Sequence, residues 1–225
     1  MTLVSGNPPP QRRGEDRASD VAYRRLRDRI IRIEYQPLEP LNEKQLSDEL
    51  ALGIAPIREA LRRLEFDRLV TIFPRRGTFV SEIGIRDDQA VREVRLEIEG
   101  TAARLAAERA TTAELSRIVE LAEAARGGCK LVEQFDLDAQ FHRAVYAACR
   151  NRFLEGTLSH YFNLSLRIWY FCAKSFELPA SIGVHHCDTA YALRDRDGKR
   201  AEASIRRHIL SNAADLSLIF SDNGL

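Results

Sequence analysis

Long hydrophobic runs, paired cysteines and a sizeable net charge are all missing from this chain of 225 residues. No apolar stretch approaches the roughly 18 residues that cross a bilayer, which argues against a membrane helix. Cys129, Cys149, Cys172 and Cys187 lack the paired spacing of a metal knuckle or a disulfide framework. Scattered thiols without a secretion signal fit a reduced, cytoplasmic protein. Residues 1–17 hold Pro8-Pro9-Pro10 among polar residues and no apolar signal core. They read as a disordered arm, not a targeting peptide. A net charge of +1 exerts no global pull toward nucleic acid.

What is present concentrates in residues 46–80, LSDELALGIAPIREALRRLEFDRLVTIFPRRGTFV. Asn42 followed by Gln45 predicts a capped helix start, with Leu46 and Leu50 on its apolar face. Pro56 fits only near the start of a following helix. Ile57, Leu61 and Leu64 then repeat at helical spacing and leave Arg58, Arg62 and Arg63 to solvent. Residues 69–73 and 78–83 are β-prone runs around Pro74-Arg75-Arg76-Gly77. Helix, turn, helix and basic hairpin together form a winged DNA-reading module. One helix would enter the major groove while the hairpin tip meets phosphate or minor groove. Residues 20–83 carry 12 Lys and Arg against 11 Asp and Glu, so DNA binding must rest on placement of charge. The residues so placed are Lys44, Arg58, Arg62, Arg75, Arg76 and Gly77.

After Gly84 the strand-like composition disappears. Val91, Val94, Ile98 and Leu105 share a face in residues 86–110, and Thr111 with Glu114 caps a helix ending at Gly127-Gly128. Residues 131–150, 152–174, 181–196 and 199–220 complete six helices of an all-α bundle. The expected organisation is an arm over 1–17, a winged helix-turn-helix domain over 18–83 and a helical domain over 84–225.

Asp138 and His142 lie at i and i+4 on one helix face. His186 lies with Ile182, Ala190 and Leu193 on an inward face, and His208 with Ala201, Ile205 and Asn212 on another. Three imidazoles and a carboxylate aimed into one bundle suit zinc first, with nickel or another first-row ion open. Satisfied core histidines are the alternative that spacing alone leaves standing. On residues 152–174, His160, Asn163 and Arg167 form a polar stripe at i, i+3 and i+7. Such groups are costly to bury without partners, and Arg167 could take a carboxylate in a bidentate fork. Arg95, one turn before Glu99, is a second effector candidate.

Residues 21–80 resemble the amino-terminal domain of the GntR family of bacterial transcription regulators, most specifically at Pro56-Ile57-Arg58-Glu59-Ala60-Leu61 and Pro74-Arg75-Arg76-Gly77. In that family the turn before the proline usually reads Ser-Arg-Thr, whose polar groups touch phosphate and bases. Here those positions are Gly53, Ile54 and Ala55, so three such contacts are missing. The second half resembles the FCD ligand-binding domain of the FadR branch, in its six-helix, VanR-like form. Asp138-Ala139-Gln140-Phe141-His142, Asn151, and His186 and His208 separated by 22 residues carry that likeness. In metal-binding members these positions are ligands, which implies Asp138, His142, His186 and His208 here. His185 is expected to point away.

The resemblance implies a homodimeric repressor on a pseudo-palindromic double-stranded operator, released when a small carboxylate binds beside a divalent metal. Two other functions stay open: a metal sensor for which the ion is the signal, and a metal-dependent hydrolase. No general base is evident near the ligands, which argues against the hydrolase.

Overall fold

In the computed structural model, which describes residues 17–126, 130–176 and 186–222, the side chain of Asn42 opens the reading helices. It accepts hydrogen bonds from the Lys44 and Gln45 amides at 2.9 and 3.1 Å and starts α2, Glu43–Leu50. Ala51 ends that helix in the left-handed conformation, and α3 follows over Ile54–Phe66 with Pro56 in its first turn. Leu46 and Leu50 of α2 and Ile57, Ala60, Leu61 and Leu64 of α3 are buried, as are Ala22 and Leu26 of α1, Ala18–Ile31. Each large aliphatic side chain so covered contributes about 1.5–3 kcal/mol.

A three-stranded antiparallel sheet completes this unit, in the order β1-β3-β2. β2 is Val70–Phe73 and β3 is Gly77–Val80, with Thr71 opposite Phe79 and Phe73 opposite Gly77. The turn between them places Arg75 at φ 64 and Gly77 at φ 99, both in the left-handed region. Gly77 takes that conformation without the Cβ clash that any other L residue would meet. β1, Pro40–Leu41, pairs Leu41 with Thr78 and was not expected. Two residues are too few for alternation to reveal a strand.

The first compact unit comprises the described residues up to Arg29 together with Leu38–Ser81, and the second comprises Ile30–Pro37 together with the residues from Glu82 onward. Residues 30–37 are thus part of the helical unit. Ile31 and Ile33 belong to its core, and Lys174 Nζ donates to the Ile33 carbonyl at 2.6 Å. Arg32 pairs with Asp136 at 2.6 Å and lies over the Tyr170 ring.

The helical unit contains α4 (Ile85–Arg109), α5 (Thr112–Arg126), α6 (Leu131–Ala148), α7 (Arg152–Ser175), α8 (His186–Arg194) and α9 (Gly198–Asp222). Thr111 and Glu114 form the expected reciprocal cap of α5. α4 packs against α6, α7, α8 and α9. Ala102, Ala103, Ala106 and Ala107 of α4 are fully buried, and such small side chains let neighbouring helices approach closely. The buried face of α4 also takes in Asp88, Arg95 and Glu99, charged positions that an apolar periodicity could not select. Among the described residues no helix is long and apolar enough to cross a membrane. Cys149, Cys172 and Cys187 are buried free thiols. The Gly127-Gly128 stop, Cys129, the expected helix start at Ser181, and His185 lie outside the described residues.

Candidate metal centre and nucleic-acid interface

The outer face of α3 carries Ile54, Arg58 and Arg62 at i, i+4 and i+8, all exposed. Arg58 is the most exposed of the paired arginines on this helix, and its Nε meets Glu43 at 2.6 Å. A surface pair of this kind is worth at most about 1 kcal/mol, so a phosphate or guanine edge can displace Glu43. Lys44 on α2 and Arg75, Arg76 and Gly77 at the hairpin tip are exposed as well. Arg63 is the exception to the expected solvent-facing set. It pairs with Asp20 at 2.6 Å and stacks on the Tyr23 ring at 4.1 Å, so it braces α3 against α1.

In the helical unit, α6 supplies Asp138 and His142, α8 supplies His186 from its first turn, and α9 supplies His208. One ligand atom from each lies within 4.8 Å of all the others. His186 Nε2 is 2.9 Å from Asp138 Oδ1, and the Nε2 atoms of His142 and His208 are 3.3 Å apart. Two nitrogens bonded to one ion at about 2.0–2.1 Å stand about 2.8–3.4 Å apart across an octahedral or tetrahedral angle. The donor set therefore fits a divalent cation. Burial and the neighbouring His186 and His142 push the His208 pKa well below the ordinary imidazole value, which keeps it neutral and able to ligate.

Glu99 of α4 lies behind this set. Its Oε2 is 3.1 Å from His142 Nδ1, the ring nitrogen on the far side from Asp138. Burial pushes the Glu99 carboxyl up, but Arg95 and His142 outweigh it and hold the pKa at about 2. Asn212, one turn after His208, places its Nδ2 3.3 Å from His208 Nε2.

A narrow cleft with a cavity volume of about 10 Å³, room for a single water, lies beside these groups and is lined among others by Arg92, Arg95, Ser165, Trp169 and Asn212. Arg92 pairs with Asp88 at 2.7 Å, and Arg95 donates to Glu99 and to Ser165 Oγ. Of the four expected effector residues, Arg95 is in this wall. Arg167, Asn163 and His160 are not, and Asn163 Oδ1 instead accepts from Arg143 at 3.3 Å. The face of α7 turned toward the ligands is Phe162, Ser165 and Trp169, the same i, i+3, i+7 spacing begun at a different residue. Phe162 packs on the His142 ring at 4.8 Å.

Comparison with known proteins extends over most of the chain. Residues 18–80 match the profile of bacterial regulatory proteins, gntR family, and residues 90–211 match that of the FCD domain. The HTH-type transcriptional repressor GlaR of Escherichia coli strain K12 is 29% identical over 200 residues, covering 84% of this chain and 91% of its own. The repressor RspR of the same organism is 26% identical over 204 residues, covering 89% and 90%. Among solved structures, E. coli McbR/YncC has a TM-score of 0.77 over 93% of this chain and all of its own, at 21% identity. A transcriptional regulator GntR from Rhodococcus sp. RHA1 has a TM-score of 0.71 over 91% and 98%, at 20% identity. At these identities the solved structures establish the fold: a winged helix-turn-helix followed by a helical FCD domain.

Proposed function

Because this chain belongs to the GntR family of bacterial regulatory proteins and carries an FCD domain, we propose that it is a repressor whose hold on DNA is set by a small organic acid bound beside a divalent metal. The observation that carries this reading is the adjacency of Asp138, His142, His186 and His208 to a cleft walled by Arg92 and Arg95. A zinc, nickel or similar ion held by those four residues offers a Lewis-acidic position to an oxygen donor. Arg92 and Arg95 supply positive charge for the rest of the acid, and Trp169 an apolar wall. The cleft has room for about one water, so an acid enters only when a wall residue such as Arg92 or Trp169 turns aside. Two copies of the chain in the cytoplasm would set two reading helices on a pseudo-palindromic operator. The acid acts by binding the DNA-releasing arrangement more tightly than the DNA-bound one. That the relatives GlaR and RspR are named repressors supports the sign of the response.

The test is a titration of operator binding with small carboxylates on metal-loaded and metal-stripped protein. Release by a carboxylate in the loaded protein alone supports the reading. Release graded by free metal with no acid present makes the ion itself the signal.

At the DNA face, Arg58→Ala is expected to cost about 1–3 kcal/mol on the selected operator if it reads a base edge. Arg75→Ala and Arg76→Ala are expected to weaken all duplexes evenly and to flatten the salt dependence. Ile54→Arg places a cation at the exposed start of α3 and is expected to raise affinity for generic duplex. Footprinting of the four variants over a salt series checks all of this, and an Arg58→Ala footprint like the parent's removes α3 as the reading helix.

A further inference from the structure

One buried run of polar groups joins three helices behind the metal ligands. Ser165 on α7 accepts from Arg95 Nη1 at 2.8 Å, Arg95 Nε donates to Glu99 Oε1, and Glu99 Oε2 faces His142 Nδ1 at 3.1 Å. The Arg95 and Glu99 side chains are 7% and 1% exposed. Two ions this deep are costly to desolvate, and apolar residues of the same volume commonly stabilise a fold as well or better. Stability alone therefore gives no reason for the pair.

We propose that Glu99 is a positioning residue that fixes His142 as the Nδ1–H tautomer and so turns the Nε2 lone pair toward Asp138, His186 and His208. This rests on the metal reading above and goes beyond its four ligands. Arg95 holds Glu99 Oε1, which leaves Oε2 at 3.1 Å from His142 Nδ1 as an acceptor for a hydrogen carried on that nitrogen. The Tyr146 hydroxyl, 3.3 Å from the same nitrogen, can accept from it and does not oppose that tautomer. Arg95 keeps Glu99 charged, and Ser165 keeps Arg95 in place. A carboxylate behind a ligating imidazole holds the ring and raises its basicity, and losing such a partner typically costs tenfold to a hundredfold in metal affinity. Because Arg95 also reaches the cleft wall, the strength of the metal site and the occupancy of the cleft share one side chain.

Competition with a chromophoric chelator gives the Zn²⁺ affinity of the full chain and of Glu99→Gln, which keeps the shape and removes the charge. The expected loss is tenfold to a hundredfold. Long-range ¹H–¹⁵N spectra of the metal-free proteins are expected to show the Nδ1–H tautomer of His142 in the parent and a mixture in Glu99→Gln. A double variant, Arg95→Met with Glu99→Met, removes both charges together and is expected to fold and to lose the same affinity. Unchanged Zn²⁺ affinity in either folded variant overturns the role of Glu99. A parent protein that fails to bind Zn²⁺ or any other first-row ion overturns the metal centre itself, and Glu99 with it.

Discussion

A variant carrying both His142→Ala and His208→Ala is expected to purify with almost no divalent metal, where the parent holds close to one ion per chain. These rings present nitrogens 3.3 Å apart, and their loss leaves only Asp138 and His186. Two ligands rarely retain an ion through purification. An ion that binds only the native state stabilises it by about 2.7 kcal/mol at a hundredfold excess over its dissociation constant. At about 2–4 °C per kcal/mol for a chain of this size, stripping the parent is expected to lower its melting temperature by roughly 5–10 °C. The same chelator is expected to leave the double variant unmoved. Elemental analysis with paired melting curves reads both effects, and full occupancy in the double variant sinks the site.

Screened by thermal shift, the metal-loaded protein is expected to be stabilised by small carboxylates, and Arg92→Gln is expected to weaken the best of them tenfold to a hundredfold. Arg92 is the better probe of the two cleft arginines because Arg95 also holds Glu99 behind His142, so that its loss would disturb the ligands themselves. Glutamine retains a donor for Asp88, whose carboxyl is already pushed up by burial. The expected loss corresponds to about 1.5–3 kcal/mol for a sheltered charge-assisted contact. Arg167→Ala serves as the comparison, since Arg167 stands outside the cleft wall. Normal carboxylate binding in Arg92→Gln with a loss in Arg167→Ala would return the anion to the α7 stripe. No stabilisation by any carboxylate, with metal content intact, would favour the ion as the signal.

The winged module is legible in the sequence because its signals are local: the Asn42 cap, Pro56, the arginines and the Pro74–Gly77 turn fall within a short stretch. Asp138 with His142 is legible for the same reason, being one helical turn apart. That His186 and His208 converge on them depends on how α8 and α9 pack, which no local pattern contains. The family resemblance supplied that link. Glu99 stands out in the sequence only as a neighbour of Arg95, because its approach to His142 of α6 is a matter of packing. The cleft-facing side of α7 was hidden differently. Its lining residues, Ser165 and Trp169, look like ordinary core, whereas the polar stripe that draws attention through Asn163 and Arg167 lies elsewhere on the helix.

The seating of residues 30–37 in the helical unit bears on how such regulators can be cut and recombined. A fragment ending near residue 83 would keep its reading helices and hairpin but carry Ile31 and Ile33 stripped of their cover. The same cut would leave Asp136 without Arg32 and Lys174 without the Ile33 carbonyl. Grafting this head onto another ligand-binding half, or lending this half a foreign head, transfers a matched plug and socket or fails to. A cut at residue 83 therefore severs the helical core itself, although it falls between the two halves of the sequence.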